Sequence, residues 1–198
     1  APSTLDVDSG VDVSGSSLQD ILDDGSYGVD ADDDQTGAQQ WNGSGNDIDV
    51  TVEFVSKNAN NKHVFGYVQN GGAFVPVFKD DASIGAPYAG VPVQSAGPWN
   101  LSLTGVSDVV FAIHDVTSGT FYYTKTSLNT SDNQQHAVVY NPDDNQYVIA
   151  FEDLPSQGDK DFNDLVVEVT VTGCETPEDS ITVVATKIVC SDESYLPN

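Results

Sequence analysis

Gln146-Tyr147-Val148-Ile149-Ala150-Phe151-Glu152-Asp153-Leu154-Pro155-Ser156-Gln157-Gly158-Asp159-Lys160-Asp161-Phe162-Asn163-Asp164-Leu165-Val166-Val167-Glu168-Val169-Thr170-Val171 holds two short strand patterns with an acidic loop between them. In the second pattern Leu165, Val167, Val169 and Val171 fall at every other position, the period of a strand with one face buried. The first, Gln146–Glu152, is apolar and too short for a packed helix. A strand, a carboxylate-rich turn and a second strand therefore follow one another in the chain.

The same grammar extends in both directions. Asp47–Val55 alternates through Ile48, Val50, Val52 and Phe54, and His63–Val68 follows a polar turn. Asn70-Gly71-Gly72 is a hairpin signal before Ala73–Phe78, because Asn and Gly tolerate the positive φ of tight hairpin turns. Further strands are expected at Trp99–Leu103, Asp108–Asp115, Thr120–Lys125, Gln135–Tyr140 and Ile181–Val189. One helical turn is expected at Ser17–Leu22, capped by Ser16 or Ser17 and followed by Gly25. Many short strands with frequent turns and almost no helix imply an all-β fold, an antiparallel β-sandwich that is jelly-roll-like, with a short N-terminal helical turn.

The chemistry lies in the loop. Five carboxylates fall between Glu152 and Asp164. Asp159, Asp161 and Asn163 are two apart, so a curved loop can aim all three at one point, and Gly158 permits the bend that starts the run. Glu152 and Asp153, at the end of the preceding strand, can close the site from the other side. Like charges about 4 Å apart cost on the order of 4 kcal/mol at an effective dielectric of about 20, and Lys160 cannot neutralise five acids. Calcium can, since it takes about six to eight oxygen ligands in flexible geometry; magnesium prefers fewer protein ligands. Zinc and copper are disfavoured by the absence of His and Cys from the loop. The loop is not an EF-hand, because position six would be Asp164 instead of glycine and position twelve Thr170 instead of glutamate. The competing reading is a solvated acidic turn. A second cluster, Asp30, Asp32 and Asp34, has the same spacing and is a candidate second metal site, with a solvated loop as its alternative.

Composition narrows the partners. The formal net charge is −25, from 31 acidic residues against 6 lysines. Nucleic acid and anionic membrane surfaces are excluded as partners, because both need a basic face. Solubility or adaptation to high salt is the plain alternative to cation binding. No run is long and apolar enough for membrane insertion. The start Ala1-Pro2-Ser3-Thr4 and the lack of Met suggest an exported chain, secreted to the cell surface or matrix. Export would make Asn42, Asn100 and Asn129, each in an N-x-S/T sequon, candidate glycosylation sites. It would also favour a disulfide between Cys174 and Cys190, with two free thiols as the alternative.

Catalysis has less support. His63, His114 and His136 lie in or beside expected strands, where surface or packing roles are the usual ones. No Gly-x-Ser-x-Gly elbow occurs, and no cysteine is near a histidine. Glu152 with an aspartate could form a glycosidase pair, but a metal would occupy those oxygens. Trp41, Trp99, Tyr88, Tyr122 and Tyr123 could stack on sugars, against a competing role in packing.

Phe151-Glu152-Asp153-Leu154, followed by Gly158-Asp159-Lys160-Asp161-Phe162-Asn163-Asp164-Leu165-Val166, resembles the signature of the DUF4114 family. Upstream, Trp41, the strand to Phe54, Asn61-Lys62-His63-Val64-Phe65-Gly66-Tyr67, Phe74–Phe78 and His136–Tyr140 follow that family's order, so the likeness runs from Leu18 to Val171. The family occurs in secreted bacterial proteins, often beside surface-sorting or adhesion modules. The resemblance implies a β-sandwich and a calcium site at Glu152, Asp153, Asp159, Asp161, Asn163 and Asp164; it implies no reaction.

These readings divide the chain into an extended N-terminal segment (1–16), a calcium-binding sandwich (17–173) and a C-terminal strand segment (174–198). The function expected is a non-catalytic, calcium-stabilised extracellular structural protein. It would assemble with copies of itself into a layer, matrix or fibre, with Thr4–Val13 or Ile181–Val189 exchanged between neighbours. The alternatives are a carbohydrate-binding or adhesion module with glycan partners, and a polysaccharide hydrolase.

Overall fold

A computed structural model describes Leu5, Val7, residues 16–172 and the backbone of Thr176–Asp179. Ser17 opens helix α1 (Leu18–Asp24) with a capping box: its hydroxyl accepts from the Asp20 N–H, and the Asp20 carboxylate accepts from the Ser17 N–H. Gly25 ends the helix. Eleven strands follow among the described residues: β1 (Ala38–Asn42), β2 (Asn46–Ser56), β3 (His63–Gln69), β4 (Phe74–Lys79), β5 (Trp99–Val106), β6 (Val109–Asp115), β7 (Thr120–Tyr123), β8 (Ala137–Asp143), β9 (Gln146–Phe151), β10 (Leu165–Thr172) and β11 (Thr176–Asp179). The turn between β3 and β4 places Asn70 at φ 53° and Gly71 at φ 65°, the left-handed pair that the Asn-Gly signal predicts.

The strands form two antiparallel sheets. One has the order β11-β1-β6-β3-β4, with β7 also on β6; the other runs β5-β2-β10-β9-β8. Consecutive strands lie in different sheets at β1–β2, β2–β3, β4–β5, β5–β6, β7–β8 and β10–β11. This is the sandwich that the alternating patterns imply, and the expected helical turn is present. Two strands escaped prediction. β1 (AQQWN) carries only Ala38 and Trp41 inward, and β11 contains Pro177. The expected strand Ile181–Val189 lies outside the described residues.

The core fills the space between the sheets. Leu165, Val167, Val169 and Val171 of β10 meet Trp41, Phe65, Phe78, Phe111, Tyr122 and Phe151 there. Phe65 stacks between Phe78 (5.3 Å) and Phe111 (5.9 Å). Each fully buried apolar side chain of this kind contributes about 1.5–3 kcal/mol.

The opposite face of the five-stranded sheet is also covered. Val138, Tyr140, Val148, Ala150 and Val166 point outward and pack against Leu18, Ile21 and Leu22 of α1, together with Val7, Ala31 and Phe162. Leu5 is held through its backbone, since its N–H and carbonyl both bond the Gln35 side-chain amide (3.0 and 2.8 Å). Of the N-terminal stretch considered for strand exchange, only Leu5 and Val7 are described, and both dock on their own chain.

Two further features bear on function. Lys79, at the end of β4, is buried, and its ammonium donates to the carbonyls of Ile84 (2.9 Å), Ala89 (3.3 Å) and Tyr88 (3.4 Å). The loop after β4 is thus wrapped round a lysine. The disulfide expected between Cys174 and Cys190 is not retained: no disulfide occurs among the described residues, and both cysteines lie outside them.

Candidate metal centre

β9 and β10 are neighbours in one sheet, and the thirteen residues from Glu152 to Asp164 join them. A short 3-10 turn, Pro155–Gln157, starts the return. The loop then uses left-handed backbone at Ser156 (φ 58°), Gln157 (64°), Gly158 (40°), Lys160 (64°) and Phe162 (49°). Gly158 is required at its place, because a Cβ there would sit 2.6 Å from Leu154 Cβ. For the other residues this conformation costs on the order of 1–3 kcal/mol each. Burial of Phe162 under α1 offsets part of that cost.

The tight curl brings three carboxylates together. Glu152, Asp161 and Asp164 each present one oxygen, and all three oxygens lie within 4.8 Å of one another. Glu152 is fully buried. Its Oε1 accepts from the Leu154 N–H (3.0 Å), while its Oε2 is shut off from solvent with no hydrogen-bond partner among the described residues. An orphaned carboxylate oxygen in a dry site is costly. Burial pushes the Glu152 carboxyl up to about 9, and the charges of Asp164, Asp159 and Asp161 add to the effect. Burial, with Asp153 and Asp161 close by, pushes Asp164 up to about 7.

The other expected ligands have different surroundings. The Asp153 carboxylate turns away and accepts from His63 Nε2 at 2.7 Å, while its N–H donates to Asp164 Oδ2 at 2.7 Å. Asn163 is buried and its amide donates to the Ser16 carbonyl (3.2 Å). Asp159 is exposed.

His63 is the functional residue that sequence reasoning passed over. It is fully buried, with Nδ1 2.8 Å from Asp80 Oδ2 and Nε2 on Asp153. Lys57 reaches the same Asp80 oxygen at 2.9 Å. Burial alone would lower the imidazole, but the hydrogen bonds and charges of Asp153 and Asp80 outweigh it and raise His63 to about 9. The ring is therefore an imidazolium donating from both nitrogens. Burial raises Asp80, yet His63 and Lys57 outweigh that and hold it below the ordinary carboxylate range. A Lys57–Asp80–His63–Asp153 chain thus braces the acidic loop from β3. His136, just before β8, braces it from the other side, its Nδ1 donating to the Glu152 carbonyl (3.0 Å) and its Nε2 lying 2.9 Å from Asp132, which also accepts from the Ser156 N–H. No local signal could have exposed His63, since its partners are 17 and 90 residues away in sequence.

Asp30, Asp32 and Asp34 form no comparable cluster. All are exposed. Asp30 Oδ1 accepts from the N–H groups of Asp32 (2.9 Å) and Asp33 (3.0 Å), Asp34 Oδ2 from Asp30 (2.7 Å), and Asp32 Oδ1 from Val7 (2.9 Å). Among the sequons, Asn100 is exposed on β5 and Asn42 is half-buried. Asn129 is buried, and its amide nitrogen donates to the carbonyls of Tyr123 and Gln134. Of the aromatic residues, Trp41 and Tyr122 belong to the core and Trp99 stacks on Phe78 (4.7 Å). Because Tyr122 faces inward, Phe121 and Tyr123 face out, where Phe121 stacks on His114 (4.1 Å) and meets Phe74 (5.2 Å), and Tyr88 lies 5.4 Å from His114.

The architecture is that of an antiparallel sandwich carrying an acidic loop between adjacent strands. Residues 99–172, from β5 to the end of β10, match the model of a family described as a domain of unknown function, DUF4114. The acidic loop and His136–Tyr140 lie inside the matched region, whereas α1 and β1–β4, where the rest of the upstream resemblance was read, lie outside it. No curated protein and no solved structure matches the chain. No helix among the described residues is long and apolar enough to cross a membrane.

Proposed function

We propose that the chain is a non-catalytic structural domain of an extracellular layer, matrix or fibre, and that it takes its full stability from a calcium ion held in the acidic loop. The observation that carries this reading is the dry, unpartnered Oε2 of Glu152 beside the carboxylates of Asp161 and Asp164. Two oxygens on one calcium ion lie up to about 5 Å apart, given metal–oxygen distances of about 2.3–2.6 Å, so the three carboxylates fit one ion. The donor set is all oxygen, which suits a hard cation. Glu152, Asp161 and Asp164 would hold it, with Asp159 near enough to add charge. A bound ion would relieve the repulsion among these groups and offset the strain of the left-handed backbone. Glu152 is sealed from solvent, which favours a structural ion over a site that a polysaccharide enters.

Thermal unfolding with calcium and with a chelator tests the site. A midpoint that chelation leaves unchanged would reduce the loop to a salt-tolerant turn. Light scattering of the full chain in both conditions tests assembly: growth with calcium supports it, and a monomer throughout removes it.

A second reading, glycan adhesion, draws on the outward aromatic strip of Phe74, His114, Phe121, Tyr88 and Tyr123. Flat half-buried rings suit stacking against neutral sugars. Glycan-array binding that is lost in Phe121→Ala would support it, and a blank array would end it.

A further inference from the structure

The residues between the candidate ligands reach into the N-terminal part of the chain. Phe162 sits between Asp161 and Asn163, and its ring is buried in the outer cluster with Leu18, Ile21 and Leu22 of α1 and with Val7. Asn163 donates its side-chain amide to the Ser16 carbonyl (3.2 Å), next to the helix cap Ser17. Asn58 completes the junction: its N–H donates to the Asn163 carbonyl (3.3 Å) and its amide to the same Ser16 carbonyl (2.8 Å). The curl that gathers Asp161 with Glu152 and Asp164 is thus the same curl that drives Phe162 beneath the helix. It also sets Asn163 at the start of that helix.

We infer that cation binding at Glu152, Asp161 and Asp164 latches α1 and the docked residues Leu5 and Val7 onto the outer face of the β8–β9–β10 sheet. The inference rests on the calcium reading above and adds a regulated element to it. With the ion bound, the loop holds Phe162 inward and the helix covers Val138, Tyr140, Val148, Ala150 and Val166. Without it, nothing offsets the unpartnered Glu152 oxygen and the left-handed backbone of the curl, so the curl opens, Phe162 withdraws and the helix loses its footing. The two-sheet core does not depend on Phe162 and persists, because its members are a separate cluster. An apolar face on the outside of the sandwich is then uncovered by loss of calcium.

Linkage makes the coupling reciprocal: if the ion favours the docked helix, a weakened helix must lower affinity for the ion by the same factor. The test uses the full chain with calcium as the probe. Amide hydrogen exchange of α1 is measured with calcium and with chelator, and calcium affinity is measured by titration calorimetry in wild type, Leu22→Ala and Val75→Ala. Leu22 is on the helix and offers no ligand atom to an ion, whereas Val75 is exposed on β4. Chelation is expected to speed exchange of the α1 amides at least fivefold while amides of β3 and β6 stay protected. Leu22→Ala is expected to weaken calcium binding at least fivefold, and Val75→Ala to leave it unchanged. Should Leu22→Ala fail to fold, the exchange comparison in wild type decides. If wild type binds no calcium, the calcium reading fails and the latch with it. If calcium binds and raises the melting temperature, yet α1 exchange ignores chelation, the latch is overturned and the calcium reading stands. Uniform loss of protection across both sheets on chelation also overturns it.

Discussion

The chain carries two acidic runs with the same two-apart spacing, and they have come to opposite states. In Asp30–Asp34 the oxygens named above accept from nearby backbone N–H groups and the side chains stay in water. In Glu152–Asp164 the chain pulls three carboxylates into a dry curl and leaves one oxygen without a partner. Spacing is common to both, so spacing does not make a metal site. What differs is the frame. The second run is clamped at both ends by hydrogen-bonded strands and braced by His63 and His136, whereas the first follows a short helix at the surface.

The comparison can be broken by removing the brace. His63→Ala leaves Asp80 and Asp153 buried without their shared cation, and loss of one partner from such a network costs about 3–5 kcal/mol. Urea unfolding is expected to show a loss of that size; a change under about 1 kcal/mol would mean that the brace carries little. Chelation comes next. An ion present at about 100 times its dissociation constant adds about 2.7 kcal/mol, or roughly 5–11 °C in a chain of this size. Calorimetry is expected to find that increment in wild type and in Asp32→Asn, and to find none in Glu152→Gln.

Acidity sharpens the contrast. Glu152 and Asp164 have folded values raised to about 9 and about 7, and His63 is raised to about 9. Raised values stabilise the fold while the groups are protonated, and that stability is lost as pH climbs through the folded values. Calcium-free protein is therefore expected to melt at progressively lower temperature from pH 5 to pH 9. The calcium increment should grow over the same window, because the ion needs the carboxylates ionised. Asp80, whose value is depressed, acts in the opposite sense only under acid conditions below that window. A calcium-free midpoint that climbs between pH 5 and pH 9 would contradict this arrangement. The smallest effect is expected at the first cluster, where Asp30→Ala removes a turn cap worth about 1 kcal/mol and leaves the calcium increment untouched.

Legibility followed locality. The β10 face, the Asn70-Gly71 hairpin and the Ser17 cap were readable because each depends on residues a few positions apart. β1 was not, since two inward residues among amides give no period, and Trp41 there is placed by Phe111 and Tyr147 from distant strands. The loop's acidity was plain from composition. That Asp153 faces a histidine on β3, and that Asp159 stays in water, depends on how the sheets stack. Nothing local marks Phe162 as a contact of α1, and only packing reveals it as the underside of a helix.

Lys79 supplies the closing contrast. Its ammonium sits among three backbone carbonyls in the manner of a bound ion, but it is tethered to the chain. A tethered cation cannot be diluted, chelated or outcompeted, so the loop it fills does not depend on a free ion. In the acidic loop the buried Oε2 of Glu152 has no such partner among the described residues. Under the calcium reading the order of that loop is set from outside, by the concentration of a free ion, and one half of the sandwich reports on the surroundings while the other is indifferent to them.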